Sequence, residues 1–136
     1  YALPLEPHLN LELRHVPTAP EGEARMFTVR PAEAADIPAL ARLYDEASRA
    51  LDLSAARDEA AWRYLLAHTA GTAMEADTWV IAASRGGVLG YWRIPSEGFG
   101  DGLIVSEASQ LPHRAAQAAL RHMMSVTKRY FSPSQV

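Results

Sequence analysis

The chain has 136 residues, 49% of them hydrophobic and 21% charged, a size and balance that suit one domain with its own core. A formal net charge of −3 makes no electrostatic case for nucleic-acid binding, which needs a clustered basic face, and the lack of cysteine excludes disulfides, thiolate zinc sites and cysteine nucleophiles. No apolar run approaches the ~20 residues of a membrane helix and no basic, apolar, small-residue signal leads the chain, so the expectation is a cytoplasmic protein without a membrane partner.

Leu9, Leu11 and Leu13 alternate with Asn10, Glu12 and Arg14, the period of a strand with one apolar face over residues 9–16. Residues 17–25 carry two prolines, a glycine and three charges, the composition of a linker, which sets residues 1–16 apart from a unit at 26–136. Phe27 and Val29 alternate with Thr28 and Arg30 in a short strand that Pro31 ends. Asp36 stands at an N-cap position, Pro38 is tolerated in the first turn, and Ile37, Leu40, Leu43, Tyr44 and Ala47 recur at helical spacing; together they predict an amphipathic helix over 37–50. A second helix is predicted over 58–68, with Trp62, Leu65 and Leu66 on its apolar side and Gly71 as its stop.

Residues 78–84 and 88–94 are rich in β-formers and flank Arg85, Gly86 and Gly87. The glycine pair suits the positive φ angles of a tight turn, which predicts an antiparallel hairpin. A glycine-bearing loop follows at 95–102, then a strand at 103–106. The longest helix is predicted over 113–130, with an apolar stripe of Ala116, Leu120, Met123, Thr127 and Tyr130, and Ala119 and Val126 beside it. Trp62, Trp79 and Trp92 read as core and cleft walls, Met123 as core and Met124 as its edge. The fold class is α/β of the α+β kind: a mostly antiparallel sheet flanked by helices, in the order β, linker, β-α-α-β-β-β-α.

The run Phe27, Thr28, Val29, Arg30, Pro31, Ala32, followed by Ala35, Asp36, Ile37, Pro38, Ala39, Leu40, resembles the opening of the GNAT acetyltransferase superfamily. The hairpin over 79–91, with Gly90 and Tyr91 in its second strand, is similar to that family's second and third strands. The resemblance covers residues 27–130 and rests on the order of elements. It implies a partial GNAT-like fold and an acetyl-CoA whose pyrophosphate lies on backbone N–H groups at a helix N-terminus, where free donors and a positive dipole suit an anion.

Family members build that loop as Gln or Arg, two residues, Gly, one residue, then Gly or Ala. The matching stretch here is Gln110, Leu111, Pro112, His113, Arg114, Ala115. Gln110 and Ala115 fit the pattern; His113 takes the place of a glycine and Pro112 has no N–H. His113 and Arg114 offer charge-assisted contacts to phosphate instead. The same residues also read as a proline-started helix with a solvated first turn. Val105, on the strand leading to the loop, completes the cofactor-side residues that the resemblance implies. The family's later elements (a fifth strand, a helix and two more strands) have no counterpart after the long helix, and residues 1–16 resemble the closing strands of a GNAT domain. The expectation is therefore a middle segment of a tandem-GNAT protein.

Acylation of an amine needs a base, usually a carboxylate. Glu97, Asp101 and Glu107 lie near the third and fourth strands, and Glu107, directly before the loop, is the best placed; each also reads as a solvated loop carboxylate. His113 and His122 are nine apart, off the i, i+4 spacing of two ligands on one helix face, and His8, His15 and His68 are isolated, so surface or linker roles are expected and no metal. No Gly-x-Ser-x-Gly elbow or phosphate-cradling Lys loop occurs. Two functions follow as expectations. One is an acetyl-CoA-dependent N-acetyltransferase acting on a small-molecule or peptide amine. The other is a non-catalytic GNAT-like scaffold supporting a catalytic neighbour. Either way, an open sheet edge would seek the rest of a longer chain or a second copy.

Overall fold

The computed structural model describes residues 26–96, 104–112 and 116–131, together with His15, Pro20 and Gly22, and the side chains of the last helix as far as Ser125. The strand expected over 9–16 lies outside the described residues except for His15, which has 3-10 backbone rather than extended backbone. The described fold is mixed α/β, with a four-stranded antiparallel sheet and three helices among the described residues. Its strands are β1 (Phe27–Pro31), β2 (Ala76–Ala83), β3 (Val88–Pro95) and β4 (Glu107–Ala108), hydrogen-bonded in the order β1-β2-β3-β4. The helices are α1 (Ile37–Ser48), α2 (Glu59–Ala67) and α3 (Ala116–Phe131).

Both faces of the sheet are covered, and the sequence of β2 shows why: Trp79, Val80 and Ile81 are all buried in succession, as in strands with no solvent face. Trp79 and Ile81 join Phe27, Trp92 and Ile94 under Ala119 and Met123 of α3. Val80 and Tyr91 face the other way, against Ile37, Leu40 and Leu43 of α1 and Trp62 and Leu65 of α2. Trp79 and Trp92 are cross-strand partners and stack at 6.4 Å. Each fully buried large side chain here, such as Leu40 or Val80, contributes roughly 1.5–3 kcal/mol of transfer free energy.

Several local expectations change. Asp36 does precede α1, but a 3-10 turn at Ala34–Asp36 runs straight into the helix and leaves Asp36 in helical backbone. Its carboxylate therefore turns back and accepts from the N–H of Glu33 at 2.8 Å instead of capping α1. Asp58 is a true N-cap of α2, accepting from the N–H of Ala61 at 2.8 Å. That helix ends at Ala67, where Thr69 donates its hydroxyl to the carbonyl of Leu65 at 3.1 Å. Gly71 serves the following turn, with φ +73° and its N–H donated to Glu75.

The hairpin forms as expected, but neither Gly86 nor Gly87 has positive φ. Four residues, 84–87, join the strands, and this longer connection turns without the left-handed backbone that a two-residue loop demands. Of the strand expected over 103–106, Leu103 lies outside the described residues and Ile104, Val105 and Ser106 are not strand; the pairing occurs at Glu107–Ala108. Among the described side chains of α3 the buried ones are Ala119, His122, Met123 and Ser125, whereas Leu120 is half exposed, so over this part the buried stripe is rotated from the expected one; the side chains of Val126, Thr127 and Tyr130 lie outside the described residues. His122 is accordingly buried beside Phe27 and not on the surface.

Candidate functional site

The α1/α2 face of the sheet carries a polar row that begins on β3. Side chains alternate along a strand, so Tyr91 and Arg93 share this face while Trp92 points to α3. Arg93 is paired in register with Thr78 of β2 on one side and Glu107 of β4 on the other. β4 pairs for only two residues, but flanking bonds extend its hold: Ser106 N–H donates to the Arg93 carbonyl at 3.0 Å and Ser109 N–H to the Tyr91 carbonyl at 2.9 Å. The Ser109 hydroxyl also accepts from the N–H of Tyr91 at 2.9 Å. Gly90 makes this approach possible, since a Cβ there would stand 2.6 Å from Leu111 Cδ2 and 3.0 Å from Ser109 Oγ.

The helices supply the walls. Tyr44 comes from α1, Trp62 from α2, and Arg57 from the irregular connection just before the Asp58 cap. Tyr44 and Trp62 meet edge to face at 80°, and Trp62 and Tyr91 at 82°. The Arg57 guanidinium lies over both walls of the first corner, 4.1 Å from the Tyr44 ring centre and 4.9 Å from that of Trp62. One nitrogen of that group, Nη1, donates to both oxygens of Glu107, at 2.7 Å to Oε1 and 2.9 Å to Oε2. The Tyr91 hydroxyl donates to the same Oε1 at 2.6 Å.

Burial pushes the Tyr91 phenol well above its ordinary value, and its hydrogen bond to Glu107 adds to the rise, so it stays a donor. Arg93 is buried as well, and burial lowers its pKa. Its Nε donates weakly to Thr78 Oγ1 at 3.3 Å, and its buried Nη2 has no hydrogen-bond partner among the described residues. The site thus sets two guanidiniums and a phenol donor around one carboxylate. Its outer part stays open to water, with the Arg57 and Glu107 side chains 16% and 25% exposed. Beyond Tyr44 lies an open cleft of about 420 Å³ lined by Asp45, Ser48, Ser54 and Ala55. The Tyr44 hydroxyl donates to the Ala55 carbonyl at its edge.

Of the residues expected to carry function, Glu107 sits at the centre of this cluster. Glu97, Asp101, His113, Arg114 and Ala115 lie outside the described residues. Val105 and Gln110 are exposed on the two flanks of β4. Comparison of the chain with protein-family models, with curated proteins and with solved structures found no match. Among the described residues no three His, Asp or Glu side chains gather in a way that would hold a metal ion, and no helix is long and apolar enough to cross a membrane. Sequence reading missed Arg57, Tyr44 and Arg93. The available signal was in β3, where arginine occupies an inward position two residues after an inward tyrosine, in a strand otherwise apolar on both faces.

Proposed function

We propose that residues 26–136 are the front part of a GNAT-like N-acyltransferase domain in which Glu107 faces an amine acceptor, from a small molecule or a peptide. The observation that carries this reading is the setting of Glu107: a carboxylate directly before the expected cofactor loop, fixed by the Tyr91 hydroxyl and facing a cation held on two aromatic rings. An amine arrives as an ammonium ion, is stabilised by that charge and those rings, and must lose a proton to a base before it is acylated. Acetyl-CoA, when bound, supplies the acyl group. The exposed Val105 and Gln110 flanking β4 fit beside such a ligand, with His113, Arg114 and Ala115 as the further cofactor-side residues, while Pro112 offers it no N–H.

Titration calorimetry with CoA and an assay for thiol release over a panel of amines test the reading. Arg114→Ala is expected to weaken CoA binding by roughly 1.5–3 kcal/mol, the range for hydrogen bonds to charged groups. His113→Gly is expected to strengthen it by opening backbone N–H groups to the phosphates. Glu107→Gln should slow acyl transfer by about 10²–10⁴-fold, as loss of a general base does. Failure of the unaltered chain to bind CoA would remove the enzyme reading.

A second reading is favoured by one observation. Glu107 Oε1 already accepts from both Tyr91 and Arg57, and Oε2 from Arg57, so the carboxylate is engaged as it stands. That suits a non-catalytic GNAT-like scaffold whose two-residue β4 joins the rest of a longer chain or a second copy. Sedimentation over a wide concentration range separates a self-associating edge from a strictly monomeric one.

A further inference from the structure

We propose that the corner formed by Tyr44, Trp62 and Glu107 is a recognition site for an alkylammonium cation, and that Arg57 is its internal occupant, displaced when such a cation binds. Arginine's special contribution to a carboxylate is its fork, two nitrogens on two oxygens. Here a single nitrogen serves both oxygens, at 2.7 and 2.9 Å. A lone ammonium nitrogen at the Nη1 position would keep both contacts, and the remainder of the guanidinium is not needed for them.

Tyr44 and Trp62 form the aromatic part of the corner. Two rings at 80° to each other present their faces to one cation, at 4.1 and 4.9 Å. Such a pair of faces recognises positive charge on a small group without asking for directional hydrogen bonds. Trp62 itself is fully buried, and the Arg57 guanidinium is the cation that lies over its ring.

Arg57 belongs to the connection between α1 and α2, where Leu51 and Leu53 are 61% and 90% exposed and hold no place in either core. Asp58 is pinned as the α2 cap, so the backbone next to Arg57 keeps its position while the side chain can swing outward. Arg93 limits what can replace it. Its buried guanidinium sits across the register from Glu107, so the carboxylate already has one cationic neighbour besides its occupant. A monocation restores the present charge balance, whereas a dication brings repulsion.

Calling the cation an acceptor rests on the acyl-transfer reading; its binding does not. The test is titration of the Arg57→Ala chain with n-butylammonium, without acyl-CoA, followed by tryptophan fluorescence. Saturable binding is expected at least tenfold tighter than to the unaltered chain, and lost in Arg57→Ala combined with Glu107→Gln. A folded Arg57→Ala chain that shows no saturable binding, or whose binding ignores the Glu107 change, would overturn the proposal. Should Arg57→Ala fail to fold, the Arg57 Nε–H resonance of the unaltered chain is the second readout. It should move on adding n-butylammonium and stay still in equal sodium chloride; an unmoved signal overturns the proposal equally. Butylammonium binding in a chain that never binds CoA would leave this inference standing and remove the acyl-transfer reading alone.

Discussion

Two arginine–carboxylate pairs lie on the same face of the sheet and differ in almost every respect that decides what a pair is for. Arg30 and Asp36 are six residues apart and meet as a fork, Nη1 on Oδ2 at 2.6 Å and Nη2 on Oδ1 at 2.8 Å. Asp36 also accepts from the backbone of Glu33, which ties β1 to the turn that starts α1. Arg57 and Glu107 are fifty residues apart, meet through one nitrogen and lie among aromatic rings. The first geometry needs arginine. The second needs a positive charge of the right size, and that difference separates a clamp of the fold from a site.

The sharpest test of that distinction sets Asp36→Ala against Glu107→Gln. Asp36 is 7% exposed and holds three hydrogen bonds, so its loss leaves the Glu33 N–H unpaired and the Arg30 guanidinium with its bond to the Pro31 carbonyl but without its fork. Because Arg30 is 35% exposed and can turn to water, the expected cost is about 2–3 kcal/mol, not the larger figure for a fully buried pair. Glu107→Gln keeps a polar acceptor in place and should cost about 1 kcal/mol of stability while removing cation binding. Urea denaturation of both variants measures the difference. Equal losses would place Arg57–Glu107 with the structural pairs.

These two pairs also show what the sequence could and could not disclose. The apolar alternation of Phe27 and Val29, the spacing of Ile37, Leu40 and Leu43, and the apolar side of Trp62 and Leu65 are local signals, and the elements they define are where they point. Asp36 was visible as a residue before a helix, but its partner Arg30 was not, because the choice between capping forward and reaching back depends on the 3-10 turn between them. Glu107 could be singled out from its position before the loop. Arg57 could not: it lies in a segment with no periodicity, and nothing local links it to a carboxylate fifty residues away. The hairpin glycines misled for a related reason. A Gly-Gly pair signals permitted backbone freedom, and a four-residue connection left that freedom unused.

Gly90→Ala attacks only the Glu107 side of the comparison. The new Cβ would press on Leu111 and on the Ser109 hydroxyl that holds the backbone of Tyr91. The expected cost is about 1–3 kcal/mol, typical of overpacking, with β4 drawn away from β3. Thermal denaturation gives the cost. Butylammonium titration should show the site loosened. A variant with lower stability but unchanged cation binding would mean that Glu107 is placed by something other than β4 pairing.

The pairs also respond to opposite ends of the pH scale. The hydrogen bond from Arg30 holds the Asp36 carboxyl below its ordinary 3.8, so it binds protons less readily folded than unfolded. The stability it contributes is present above that value and is lost as pH falls through the lowered folded one. Asp36→Asn should flatten this acid loss. Tyr91 behaves in the reverse sense. Burial, with Glu107 beside it, raises the phenol above its ordinary 10, so its contribution is complete below pH 10 and declines as the unfolded chain begins to ionise there. Tyr91→Phe should remove that alkaline decline and leave the acid limb unchanged. Denaturation midpoints measured at both ends check each sign, and an alkaline decline that persists in Tyr91→Phe would assign it to other groups.

The smallest effect is expected at a third pair, Arg42 with Glu46 on the outer side of α1, joined at 2.9 Å with the two side chains 55% and 47% exposed. It has the i, i+4 spacing of a helix pair, but with the cation on the N-terminal side, the weaker of the two orders. Water competes for both groups and salt screens what remains over about 10 Å at 0.1 M. Glu46→Gln should therefore change stability by about 0.2–0.5 kcal/mol at low ionic strength, and by less as salt is added. The same salt series applied to Glu107→Gln should leave most of its effect on stability intact, because Arg57 and Glu107 are 16% and 25% exposed and are walled by rings. If both effects fade together, partial burial is not what protects the Arg57–Glu107 contact, and the aromatic corner is too open to hold a cation against the solvent.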